Sequence, residues 1–267
     1  MNNVRAVFIV VMVLALTLLM LPVHGALMVI KSPLQKRTAM AWHRQVARIM
    51  GIHIKVHGSP FITGSKGTLF ISNHVSWVDI VVLGAIIPVN FIAKSEVRSW
   101  PLFGWLAQLQ RTLFVERSRR LGVRDEGNQI RERLLAGDSL VLFPEGTTSD
   151  GNFVYPFNSS LLGAITSGVT TDKIPVQSVS IAFNGLGGLP MGRYWRPIAA
   201  WPGTVTLAEH LPRVLKEGLF DVEVHFGPVI KDAQMQHRKP LTAELKGEVQ
   251  QMLASGLRGD HFAAKRS

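Results

Sequence analysis

Apolar and polar positions follow two regimes along this chain. Residues 6–21 are almost wholly apolar, and after Pro22, His24 and Gly25 the apolar character resumes through Ile30. As a helix rising ~1.5 Å per residue, the first part measures about 24 Å, short of a hydrocarbon core of about 30 Å, whereas the stretch to Ile30 reaches across. The pattern predicts a membrane-associated helical segment that spans with a bend or returns as a re-entrant hairpin. A cleaved signal peptide, with Arg5 in its n-region and Gly25-Ala26 near the cut, is the competing reading. Over residues 38–50, Met40, Trp42, Val46, Ile49 and Met50 are interleaved with Arg44 and Arg48, as in an amphipathic helix packed on a bilayer or on a domain core.

Beyond Gly51 short strand-like runs alternate with helical ones. Strands are expected at 52–56, 68–72, 90–93, 112–115, 139–143, 174–182 and 221–226, and helices at 77–87, 101–108, 124–135, 159–167 and 242–257. Such alternation predicts an α/β fold with a largely parallel sheet flanked by helices. Glycine and proline cluster at 184–197, which reads as a long surface loop whose Arg193, Tyr194, Trp195 and Arg196 are suited to lipid headgroups or to packing on their own domain. The division expected is an N-terminal anchor and amphipathic helix, residues 1–50, and a single catalytic domain, residues 51–267.

Charge and cysteine content narrow the partners. A formal charge of +11 over 267 residues attracts polyanions, an anionic membrane or nucleic acid among them. The basic residues are dispersed, however, and no nucleic-acid-binding motif accompanies them, so no nucleic-acid partner is expected. The chain has no cysteine, which excludes disulfides, thiolate metal sites and a cysteine nucleophile. Only Arg5 precedes the apolar stretch, while Lys31, Lys36, Arg37, Arg44 and Arg48 follow it. The positive-inside tendency then puts the rest of the chain in the cytoplasm, on a bacterial-type inner membrane.

Candidate chemistry lies in Ser72-Asn73-His74-Val75-Ser76-Trp77-Val78-Asp79, between a strand and an apolar helix. On one continuous helix, positions five apart point about 140° away from each other. Pairing His74 with Asp79 therefore requires His74 in the turn before the helix and Asp79 in its first turns. A neutral imidazole can take a proton from an attacking hydroxyl, while a buried carboxylate fixes its tautomer and stabilises the imidazolium. Downstream, Phe143-Pro144-Glu145-Gly146-Thr147-Thr148-Ser149 sets a carboxylate and three hydroxyls in a turn at a strand end, where open α/β sheets bind ligands. A Gly-x-Ser-x-Gly elbow and a His-Glu-x-x-His helix are both missing, and His53 and His57 read as strand residues.

These two blocks resemble the 1-acylglycerol-3-phosphate acyltransferase family, marked by a histidine, four residues and an aspartate, then an acidic-glycine-threonine motif. Arg111-Thr112-Leu113-Phe114-Val115-Glu116-Arg117 is similar to its second motif and Ile174-Pro175-Val176 to its fourth, so the resemblance covers roughly residues 51–226. It implies a mixed α/β acyltransferase domain with an acyl-chain tunnel, mounted on the membrane by N-terminal helices. It also implies His74 and Asp79 as catalytic dyad, with Arg117, Glu145, Gly146 and Thr147 holding the acceptor lipid. The implied reaction moves a fatty acyl group from acyl carrier protein or coenzyme A onto a lysolipid hydroxyl, with no metal and no cofactor beyond that thioester co-substrate.

Family members acting on lysophosphatidate usually carry arginine after Glu-Gly-Thr and lysine after a downstream Pro-Phe pair. Here Thr148 and Asn158 stand at those positions. Two cations suited to a phosphomonoester are thus missing unless Arg117, Lys94 or the glycine-rich loop compensates. The lyso-ornithine lipid acyltransferase group, whose acceptor lacks phosphate, resembles the same pattern. Lysophosphatidate and lyso-ornithine lipid are both expected acceptors, and a non-catalytic basic membrane scaffold is the reading from another class.

Overall fold

The computed structural model describes residues 2–62, 64–115, 123–159, 162, 174–230 and 238–259. The apolar N-terminus is one helix, α1 (Asn2–Val29), which continues through Pro22 and is long and apolar enough to cross a membrane. Lys31 turns the chain in a left-handed conformation, and α2 (Leu34–Met50) returns against α1. Both ends of α1 are tied to the body of the protein. Arg5 donates to the carbonyls of Leu215, Met50 and Gly218, and His24 joins Thr38 Oγ1 at 2.6 Å and the Leu109 carbonyl at 3.0 Å. Ile9 is buried, whereas Val7, Phe8, Val11, Leu18 and Leu19 form an exposed apolar face.

The strands are β1 (His53–His57), β2 (Leu69–Ser72), β3 (Val89–Lys94), β4 (Leu113–Val115), β5 (Ser139–Leu142), β6 (Val176–Leu186), β7 (Leu189–Pro190) and β8 (Phe220–Ile230). They form one sheet in the order β1-β8-β6-β2-β5-β3-β4, with β7 hairpinned onto β6. Pairings from β6 through β2, β5 and β3 to β4 are parallel, and so is β1 with β8. The β6–β8 pair is antiparallel, which makes the sheet mixed and runs β1 and β8 against the rest.

The remaining helices are α3 (Val78–Ile86), α4 (Phe103–Leu109), α5 (Val123–Leu135), α6 (Leu207–Glu217) and α7 (Arg238–Arg258). Side chains alternate across each strand, so the sheet has two apolar faces. Phe70, Phe91, Val141, Ile181 and Val224 join Ile9, Val46, Met50, Val82 and Val214, packing one face against α1, α2, α3 and α6. On the other face Leu69, Ile71, Leu140 and Leu142 meet Ile130 and Leu134 of α5 and Leu245, Val249 and Leu253 of α7. The α2–α3 approach is close because Gly84 has no Cβ: one built there would sit 2.5 Å from the His43 ring.

Each expected strand is present, and β6 and β8 run longer than their patterns suggest. The expected helix at 159–167 falls almost wholly outside the described residues. The stretch 184–197 is not one loop: β6 extends to Leu186, the Gly187-Gly188 turn leads into β7, and Arg196–Ile198 forms a 3₁₀ turn. Arg196 is unsuited to headgroups because it is buried, donating to the carbonyls of Phe183 and Met191 and to Asn152 Oδ1. Tyr194 and Trp195 are exposed.

Candidate active site

The site begins where β2 ends. The Asn73 amide holds β6 in two directions, donating to the Ile181 carbonyl at 3.0 Å and accepting the Ile181 N–H at 2.8 Å. This clamp fixes the turn from which His74 leaves the sheet, four residues ahead of α3. Asp79, in the first turn of α3, is fully buried. Its Oδ2 accepts the Val75 N–H at 2.7 Å, the Ser76 N–H at 2.9 Å and His74 Nδ1–H at 2.8 Å. The expected pairing across five positions is therefore present, with the histidine before the helix and the aspartate inside it. Because Nδ1–H donates to Asp79, the Nε2 lone pair is left to act as a base.

Three supports hold the imidazole. Its ring stacks on Phe143 at a centroid distance of 4.0 Å and an interplanar angle of 14°. The Ser149 N–H donates to the His74 carbonyl at 2.8 Å. The His74 N–H donates to Glu145 Oε1 at 2.6 Å, while Glu145 Oε2 accepts the Tyr155 N–H at 2.7 Å. Glu145 can reach back because Gly146 adopts φ +74°, closing a turn on the Phe143 carbonyl that a residue with a Cβ would strain. Burial pushes the Glu145 carboxyl up to about 8, against the pull of its two backbone donors.

His74 opens onto a cavity of about 630 Å³ that runs under α1 and α2. Near the histidine the walls are Gly146, Thr147, Trp201 and Lys94; farther in they are apolar, with Val13, Met20, Trp42 and Leu106. His43 also lines the cavity, and burial lowers its imidazole to about 4 against a hydrogen bond to Gln110. His43 is thus uncharged at neutral pH, and the inner wall around it is neutral. A neutral base at the mouth of an apolar cavity can deprotonate a lipid hydroxyl while the cavity takes a hydrocarbon chain.

The structure brings His74, Asp79, Glu145, Gly146 and Thr147 together, and Arg117 lies outside the described residues. Arg111, which opens the second motif, is committed to Asp138, its Nη2 lying 3.1 Å from Oδ2. Thr148, also on the cavity wall, donates its hydroxyl to the Trp201 carbonyl. Sequence reasoning missed Trp201, whose N–H donates to the Val75 carbonyl at 2.8 Å and whose ring packs edge-on against Trp100. It follows β6 and β7 in a proline-rich stretch without periodicity, so no local pattern marked it.

Comparison with known proteins places this geometry in context. A family model described as Acyltransferase matches residues 53–182. The chain is 44% identical over 262 residues to the lyso-ornithine lipid O-acyltransferase of Brucella abortus (strain 2308), covering 97% of each. It is 42% identical over 228 residues to the lyso-ornithine lipid O-acyltransferase of Rhizobium meliloti (strain 1021), covering 84% of this chain and 77% of the relative. The crystal structure of the 1-acyl-sn-glycerophosphate acyltransferase PlsC from Thermotoga maritima superposes with a TM-score of 0.64 at 19% identity, covering 96% of this chain and 97% of the other. That likeness establishes the same mixed, mostly parallel fold.

Proposed function

Because the chain belongs to the acyltransferase family, we propose that it transfers a fatty acyl group from a thioester carrier to the hydroxyl of a lysolipid, with lyso-ornithine lipid as acceptor. One observation carries the reading: the His74–Asp79 pair stands at the mouth of an apolar cavity, in a chain similar over nearly its whole length to a lyso-ornithine lipid O-acyltransferase.

In this mechanism the acceptor hydroxyl gives its proton to His74 Nε2 as its oxygen attacks the thioester carbonyl. Asp79 stabilises the resulting imidazolium through Nδ1–H. The tetrahedral adduct collapses to the ester, and the departing thiolate takes the proton back from Nε2. No enzyme nucleophile enters, consistent with a chain that has no cysteine. Gly146 and Thr147 form the wall beside the acceptor, and Glu145 holds that wall and the His74 turn from behind. Arg117 is assigned to the acceptor by resemblance. Acyl carrier protein and coenzyme A both present the thioester this chemistry needs.

The choice of acceptor is supported by what occupies the two expected cationic positions. Thr148 is nearly buried with its hydroxyl engaged, and Asn158 is neutral. An ornithine headgroup carries one carboxylate and one ammonium, and the cavity wall offers one charge of each sign in Lys94 and Glu96. The exposed apolar face of α1 is suited to lipid, and the basic residues after it favour an anionic inner membrane with the catalytic face in the cytoplasm.

The test is acyl transfer by membranes containing wild type or His74→Ala, offered both thioester donors and both acceptors in competition. Transfer to lyso-ornithine lipid by wild type, lost in a folded His74→Ala protein, is expected. Preference for lysophosphatidate would overturn the acceptor, and equal activity in the variant would overturn the dyad.

A further inference from the structure

His57, Glu223 and His225 form a second cluster of ligating side chains, away from the dyad. The parallel β1–β8 register sets His57 beside His225 and Lys55 beside Glu223. Val222, Val224 and Phe226 point into the core on the cavity side, so Glu223 and His225 project from the opposite face, where Gly256 of α7 lies against the His225 ring. Glu223 and His225 are 5% and 1% exposed, and the His57 side chain is 12% exposed, at the rim of the cluster.

Both imidazoles bring the same ring nitrogen to the same carboxylate oxygen. Glu223 Oε2 lies 3.1 Å from His57 Nε2 and 3.3 Å from His225 Nε2. The other oxygen, Oε1, faces the Lys55 ammonium at 3.5 Å. All three ligand atoms fall within 4.8 Å of one another. In a tetrahedral site with bonds of ~2.0–2.1 Å, neighbouring ligand atoms stand about 3.3 Å apart, so both carboxylate–imidazole spacings already fit one ion. The two rings are stacked at 4.3 Å and 14°, so the rim residue His57 must tilt for both nitrogen lone pairs to converge on one ion.

We propose that His57 Nε2, Glu223 Oε2 and His225 Nε2 bind one divalent transition metal ion of the zinc or cobalt type, with a fourth position open to water. Two imidazoles and one carboxylate form a donor set that suits such ions over magnesium or calcium. The ion bridges β1, an edge strand of the sheet, to β8, and its charge compensates a carboxylate held almost out of solvent. The site is separate from acyl transfer, since it lies on the other face of the sheet.

The test uses the untagged full chain in detergent, stripped with chelator and titrated with cobalt(II) and zinc(II), followed by visible absorption, calorimetry and thermal melting. Wild type is expected to bind one ion per chain and to melt higher as metal is added. His57→Ala, at the rim where a truncation is tolerated, should weaken binding at least tenfold. Lys55→Ala, which removes a competing cation, should strengthen it. His53→Ala should bind as wild type, because that exposed imidazole pairs with Asp221 at 3.2 Å instead. Absence of stoichiometric binding, unchanged binding by His57→Ala, or loss on His53→Ala would each overturn the proposal.

Discussion

Glu145 and His74 are joined through the backbone: the carboxyl group accepts the histidine's own N–H at 2.6 Å, so the acidic residue of one turn sets the path of the turn that carries His74. Its second oxygen is held by Tyr155, and both oxygens are therefore engaged by main-chain donors. Burial raises this carboxyl from 4.5 to about 8, so the fold favours its neutral form. The stability that Glu145 contributes is then fully present below pH 4.5 and is lost as pH rises through about 8. Thermal melts of wild type and Glu145→Gln across that range should show the wild-type advantage shrinking with rising pH, whereas a constant gap would contradict the assignment.

Asp79→Asn is the informative change at the dyad. Asparagine retains an acceptor oxygen for the N–H groups of Val75 and Ser76 but removes the charge that stabilises imidazolium. Turnover should fall by about 10²–10⁴ with a modest change in melting temperature. Asp79→Ala would instead leave three donors unmet in the interior and destabilise the protein by several kcal/mol, at roughly 1–3 kcal/mol for each buried group. Steady-state kinetics beside a melt separates the two effects.

Glu96 is expected to disfavour a phosphate dianion. Replacing it in Glu96→Lys puts two cations on the cavity wall with Lys94, and kcat/KM for lysophosphatidate relative to lyso-ornithine lipid should rise by about tenfold, as one charge-assisted contact allows. The ratio is read by offering both acceptors in one assay. An unchanged ratio would place the headgroup elsewhere.

Gly84→Ala forces a methyl toward the His43 ring and should cost about 1–3 kcal/mol, the usual penalty for overpacking. Because His43 and α2 wall the cavity, the same change should raise KM for long acyl donors more than for short ones. Thermal melts and a donor chain-length series check both parts.

The strands were legible wherever burial on both faces produced continuous apolar runs, as in Leu69-Phe70-Ile71 and Leu140-Val141-Leu142, each wholly buried. The dyad was legible because its two residues are local and a strand-turn-helix supplies their geometry. Strand direction was not: the antiparallel β6–β8 pair is fixed by how the chain crosses between layers, which period-two alternation does not encode. Helix α6 was overlooked because Pro212 interrupts its pattern, although Thr206 and Glu209 form a capping box that announces its start. The His57–Glu223–His225 cluster joins β1 and β8 from far apart in the sequence, and each residue taken alone reads as an ordinary strand position. For the same reason the sequence left open whether Arg196 meets lipid or packs on its own domain, since its partners Asn152 and Phe183 are distant in sequence.

The pairing of β1 with β8, together with Arg5 reaching the carbonyls of Leu215 and Gly218, has a consequence for synthesis. The ribosome makes α1 and α2 well before α6 and β8, so part of what seats α1 comes about two hundred residues later. Contacts of such long sequence separation form slowly, and exposed apolar surface aggregates while it waits. Over that interval the exposed apolar face of α1 needs a covering, which a bilayer would supply. The cavity walled by α1 is complete only once α6, with Leu211 and Leu215, has been made.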